Sequence, residues 1–149
     1  MTTRAPRRDS VENRAGILDA ARATLATDPR ASIDVIARSA GLSRRTLYGH
    51  FDDREALIRE LISVGAQRFN AIAESVTDTD SRIALARLAA RLWQEAAHVQ
   101  VAAALALDEA HVQHTADALA PLRRTVAALA RRGHCLLYTS DAADDLLCV

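Results

Sequence analysis

The stretch Ser32–Phe51, SIDVIARSAGLSRRTLYGHF, decides how the rest of the chain is read. Ser32 offers a hydroxyl to cap a helix, and Ile33, Ile36, Ala37 and Ala40 then recur along one helical face. Gly41 follows, the residue best suited to the left-handed backbone that ends many helices. Leu42 is placed to pack inward, and Ser43 is a second cap. Leu47 and Phe51, four apart, give a short following helix its buried face. Arg44, Arg45, Thr46, Tyr48 and His50 are left on its other faces. Small, left-handed, apolar and capping residues thus arrive in the order that a helix-turn-helix needs.

The outward residues suit a DNA major groove. Arg44 and Arg45 can pair with guanine O6 and N7 or with phosphate. Thr46 can touch a thymine methyl or donate to a phosphate, and Tyr48 has a flat body with a hydroxyl for the backbone. The plain alternative for two adjacent arginines is a solvated face. The expectation is that the helix over residues 44–50 enters the groove.

Composition agrees with a helical protein. Alanine and leucine, strong helix formers, dominate the apolar half of the chain, while valine and isoleucine are too sparse for a sheet protein. The predicted class is all-α. Net charge is zero, which alone argues against a nucleic-acid binder, but the charge is unevenly spread. Residues 1–50 hold nine arginines against five acids, a net +4, and residues 51–149 hold ten against fourteen, a net −4. The first third therefore carries a basic contact surface. There is no lysine, so every fixed cation is the better guanine and phosphate reader of the two. No apolar run is long enough to cross a membrane, and the N-terminus lacks the apolar core of a signal peptide, so the expected compartment is the cytoplasm. Two cysteines, Cys135 and Cys148, define no disulfide framework.

Residues 17–62 resemble the N-terminal domain of the tetracycline-repressor-like (TetR) transcriptional regulators. The matching features are Ile17-Leu18-x-Ala20-Ala21, Ile36-Ala37, Ala40-Gly41-Leu42-Ser43, Thr46-Leu47-Tyr48, His50-Phe51 and Glu55-Ala56-Leu57. The resemblance implies a homodimeric repressor whose homeodomain-like, three-helix head binds a double-stranded operator. It further implies a C-terminal helical domain that takes a small-molecule inducer and forms the dimer. It implies that Ser32, Ser43 and Tyr48 hold phosphates, that Arg44, Arg45 and Thr46 face the groove, and that His50 sits at its rim. Arg54 stands where the family often has a lysine that meets the DNA backbone. Leu25 replaces a usual aromatic, and Asp28-Pro29 replaces a glycine-containing turn.

On this basis the chain divides into a basic disordered arm (1–10), the helix-turn-helix domain (11–53), a partial helical regulatory domain (54–134) and a tail (135–149). The first helix runs over 11–27 on a stripe of Ile17, Ala21 and Leu25 and stops at Asp28-Pro29. A fourth spans 54–76 behind Asp52 and Asp53, whose charges suit its N-terminus. A fifth is capped by Asp80 or Ser81 and runs through His98; another apolar run covers Val99–Ala110. A further stretch, Val112–Arg132, is broken or kinked at Pro121.

Trp93, Gln94 and His98 are the candidates for an inducer pocket, with core packing the plain alternative for Trp93. His111 and His114 lie at a three-residue spacing, but without a second cluster they read as a solvated face rather than a metal site. No cofactor is implied. No nucleophile triad, phosphate loop or paired carboxylates point to an enzyme.

Residues 135–149, CLLYTSDAADDLLCV, lack arginine and apolar periodicity. Their first ten can be written TGT CTC TTA TAC ACA TCT GAC GCT GCC GAC, which resembles a transposase-type sequencing adapter in translation. The expectation is a C-terminally truncated record that lacks the helices through which the full-length protein would dimerise. Two other readings stand beside the regulator: a helical protein–protein interaction module, and a truncated fragment without function. Sequencing the locus past codon 134 separates these origins. An in-frame continuation unrelated to CLLYTSDAAD is expected, and genomic DNA encoding that run would overturn the adapter reading.

Overall fold

A computed structural model describes the backbone of residues 6–138 and the side chains of residues 14–96 and 98–133. Every regular element among the described residues is helical: α1 (Pro6–Thr27), α2 (Ile33–Ser39), α3 (Arg44–Tyr48), α4 (Arg54–Glu74), α5 (Ser81–Ala106), a 3-10 turn (Glu109–His111), α6 (Val112–Ala118) and α7 (Ala120–Tyr138). The all-α expectation holds. The described residues fall into two compact units, one made of those up to Ser63 with Gln100–Val112, the other of Val64–Val99 with those from Gln113 onward. The division falls inside α4 rather than at its start.

Several boundaries differ from the sequence expectation. α1 begins at Pro6, so residues 6–10 belong to a helix and not to the arm; proline's fixed φ suits a first helical position. The remaining arm residues, 1–5, lie outside the described residues, as do 139–149 of the tail. α3 ends at Tyr48 instead of residue 50, with Gly49 as its C-cap, and turn bonds carry on to Phe51 N–H. α5 continues past His98 to Ala106, because nothing between Val99 and Ala106 breaks an alanine-rich helix.

The first unit is built on Ile17, Ala21, Leu25, Ala31, Ile33, Ile36, Ala37, Leu47, Phe51, Leu57 and Leu61, with Val101 and Leu105 packed against them. The turn between α2 and α3 has the geometry that its residues foretell. Gly41 sits at φ 68°, where a Cβ costs about 1–2 kcal/mol. Its N–H bonds Arg38 O at 3.1 Å, and Leu42 N–H bonds Ala37 O at 2.9 Å, the paired bonds of a Schellman motif. Ser32 caps α2 and Ser43 caps α3, their Oγ atoms accepting from Val35 N at 3.4 Å and Thr46 N at 3.1 Å. At α4, Asp53 Oδ1 accepts from Ala56 N at 2.6 Å.

The second unit packs Ala73, Ala84, Leu88 and Leu129 together, flanked by Ile72, Val76, Leu85, Leu92 and Leu122. Asp80 rather than Ser81 caps α5, accepting from Arg82 N at 2.8 Å and Ile83 N at 3.2 Å, while Ser81 is buried. The helix break expected at Pro121 occurs just before it, between Ala118 and Ala120. The Asn70 side chain spans that break. Its Nδ2 donates to Ala118 O at 2.9 Å, and its Oδ1 accepts from Leu122 N at 3.0 Å. In an unbroken helix this N–H and this carbonyl would bond each other. One amide thus satisfies both groups that the break separates.

Asn70→Ala leaves those two groups without their partner and is expected to cost about 1–2 kcal/mol. The urea midpoint should fall with the m-value unchanged. A wild-type midpoint would show that the amide contributes nothing.

Candidate nucleic-acid interface

The proposed reading helix is too short to hold itself. α3 has five residues, and its place comes from Leu47, which is fully buried, and from Phe51 beyond its C-terminus. Arg14 of α1 supports that end. Its guanidinium lies 4.3 Å over the Phe51 ring, Nη1 donates to His50 O at 2.9 Å, and Nε meets Glu60 of α4 at 3.4 Å. Nothing in the sequence marks Arg14 for this role, because its partners lie far along the chain and the residue simply falls off the apolar stripe.

With Leu47 turned inward, Ser43, Arg44, Arg45, Thr46 and Tyr48 are all exposed, and His50 is half-buried. Ser43 Oγ and Thr46 Oγ1 are 2.8 Å apart, so the two hydroxyls already share one hydrogen bond. Ser32 is exposed at the start of α2, where its capping bond uses only an acceptor position of the hydroxyl. Ser43 to Thr46 and Tyr48 are thus exposed together on α3 and its cap, and Ser32 is exposed at the start of α2.

Arg44 is not simply solvated. Its Nε lies 3.1 Å from Asp34 Oδ1 of α2, and its guanidinium carbon stands 5.4 Å from the centroid of the Tyr48 ring. Hydrogen bonding with Tyr48, and then the charge of Asp34, push the pKa of Arg44 upward, so it is cationic at any working pH.

Arg54 departs from expectation. Its Nε donates to Ala31 O at 3.1 Å and its Nη2 to Pro29 O at 2.7 Å, while Nη1 meets Glu55 at 3.4 Å. The side chain that the sequence reading gave to the DNA backbone instead ties the α1–α2 turn to the start of α4.

The candidate pocket residues are not brought into an enclosed site. Trp93 is 82% exposed, and Gln94 and His98 are exposed too, so Trp93 is neither core nor pocket wall in this chain. His111 corrects a second expectation. It is buried, with Nε2 3.2 Å from Glu55 Oε2, while His114 is half-buried on α6. Among the described residues no group of three or more histidine, cysteine or acidic side chains could hold a metal ion.

A capped, glycine-turned helix pair with a basic outer face is the architecture of a DNA-reading head. Residues 17–61 match the family model of the bacterial regulatory proteins, tetR family. Residues 17–61 are thus a domain of the TetR type. The matched span lies within the first unit and ends inside α4. The family consists of DNA-binding transcription regulators rather than enzymes, and the matched span contains Ser32, Ser43, Arg44, Arg45, Thr46, Tyr48 and His50. Comparison with curated proteins and with solved structures gives no significant match. Among the described residues no helix is long and apolar enough to cross a membrane.

Arg54→Ala separates the two roles of that side chain. It should lower the stability of the TetR head by about 1–2 kcal/mol through loss of charge-assisted bonds. The salt dependence of DNA binding should stay as in the wild type. A slope reduced by about 1 would return Arg54 to the phosphates.

Proposed function

We propose that this chain is a sequence-specific, ligand-responsive transcriptional repressor that lays α3 in the major groove of its operator. Ser32, Ser43 and Tyr48 hold phosphates, Arg44, Arg45 and Thr46 face base edges, and His50 lies at the rim. The observation that carries this reading is the exposed Arg44-Arg45-Thr46 edge of α3, fixed from behind by the buried Leu47. A buried anchor under an exposed basic edge presents guanidinium groups without letting the helix roll.

Repression, a cytoplasmic site of action, homodimerisation and response to a small-molecule inducer are proposed from the match of residues 17–61 to the tetR family model. In the same proposal residues 11–53 are the DNA-binding domain, and residues 54–134 are part of the regulatory domain. Dimerisation supplies the second half-site and with it the gain from effective concentration. A second reading, a helical surface for another protein, is favoured by Ile83 and Trp93, both exposed on α5.

Binding of the chain to duplex DNA should weaken steeply as salt rises, because each neutralised phosphate releases counterions. Arg45→Ala should reduce the magnitude of the log–log salt slope by about 1 if it meets a phosphate. Arg44→Ala should relax preference at one base pair, by about 1–3 kcal/mol for a lost guanine contact. Equal binding of all duplexes, unchanged by either substitution, would sink this function and leave the protein-interaction reading.

A further inference from the structure

The Asp34 carboxylate stands on α2 beside the proposed DNA-reading face, where an acid should repel phosphate. Its Oδ1 is closed to solvent and makes no hydrogen bond, although the side chain as a whole is 44% exposed. What compensates that oxygen is Arg44 Nε at 3.1 Å. The pair is part-exposed, so it biases the position of Arg44 modestly rather than locking it. The Tyr48 ring bounds the same guanidinium on another side.

We infer that Asp34 is a specificity-determining residue, which holds Arg44 beside the groove-facing edge of α3 and so favours its contact with a guanine. This rests on the reading of α3 as the groove helix. The geometry has two consequences. With Asp34 on its Nε side and Tyr48 as a hydrogen-bond partner, the guanidinium is held in one place, from which a remaining N–H can reach O6 or N7, the acceptors that identify guanine in the major groove. The adjacent carboxylate also opposes the other use of an arginine at this place, a loose contact with any nearby phosphate. Ordering the long side chain before binding reduces the entropy lost when the contact forms. Arg45, exposed beside it and without such an acid among its described contacts, is the phosphate-facing member of the pair.

Asp34 is therefore a positioning residue, and its removal should act on sequence preference before it acts on affinity. The experiment selects bound duplexes from a pool with a randomised central segment, using the full chain and its Asp34→Asn, Asp34→Ala, Arg44→Ala and Asp34→Ala/Arg44→Ala variants. Circular dichroism first establishes that each variant is folded at the working temperature.

The wild type should enrich a guanine at one position. Both Asp34 variants should reduce that enrichment at least about fivefold, while binding the unselected pool as tightly as the wild type or more so, with a steeper salt slope. Arg44→Ala should lose preference at the same position, and the double variant should lose no more than Arg44→Ala alone. Asp34→Glu, which keeps the charge, should restore part of the preference. A purely structural role for Asp34 would weaken all duplexes alike and leave the enriched base unchanged.

Enrichment retained in both Asp34 variants, loss at a different base pair from Arg44→Ala, or losses that multiply in the double variant would each overturn the inference while leaving DNA reading intact. A wild type that enriches nothing would overturn the proposed function, and the inference with it.

Discussion

A helix of five residues has no stability of its own, since nucleation consumes more order than a few backbone bonds return. α3 exists because Leu47 is inserted among Ile17, Ala21, Ile36, Phe51 and the other residues of one apolar cluster. The caps at Ser43 and Gly49 trim its ends, but a cap contributes only about 1 kcal/mol, less than burial of a leucine. The exposed edge of α3 is thus a by-product of where Leu47 has to go. Rotating the helix to retract Arg44 and Arg45 would bring Leu47 into water.

Around that apolar anchor the first unit carries a second layer of order, made by arginines that reach backbone carbonyls. Arg14 closes the end of α3 onto α1 and α4, and Arg54 closes the α1–α2 turn onto α4. Glu55 continues the second of these to His111, so the start of α4 is bonded both to the turn behind it and to the residues around the 3-10 turn. A guanidinium with several donors in one plane suits this task, because it can satisfy two carbonyls and a carboxylate at once. An arginine-rich head is therefore not uniformly a phosphate-binding head. Arg14 and Arg54 are spent on the fold, Arg44 is held in position, and Arg45 stays in solvent.

The local steps of the chain were legible because their causes are local. Ser32 and Ser43 cap the helices that follow them, Gly41 takes the left-handed turn, and Asp53 and Asp80 start α4 and α5. Each depends on residues no more than about four positions away, and stereochemistry decides it. The stripe of Ile33, Ile36 and Ala37 and the pair Leu47 and Phe51 were legible for a related reason: helical period alone says which side chains share a face. Even the family match rests on this local grammar, for it covers the capped and turned segment and ends in α4.

The remaining assignments belonged to side chains whose partners are distant in sequence. Periodicity left His111 among solvated residues, yet packing buried it against Glu55; it left Trp93 between core and pocket, yet packing set it in solvent. Asn70 and the break at Pro121 are separated by about fifty positions, and no spacing rule connects an amide to a carbonyl across such a distance. The sequence by itself determined that the chain is helical, where the turn of its DNA-reading head falls and which residues line the outer edge of α3. Only the tertiary structure decided which polar groups are spent inside the fold and that Asp34 meets Arg44, because hydrogen bonds and ion pairs are won by proximity, and proximity is set by how the apolar faces pack.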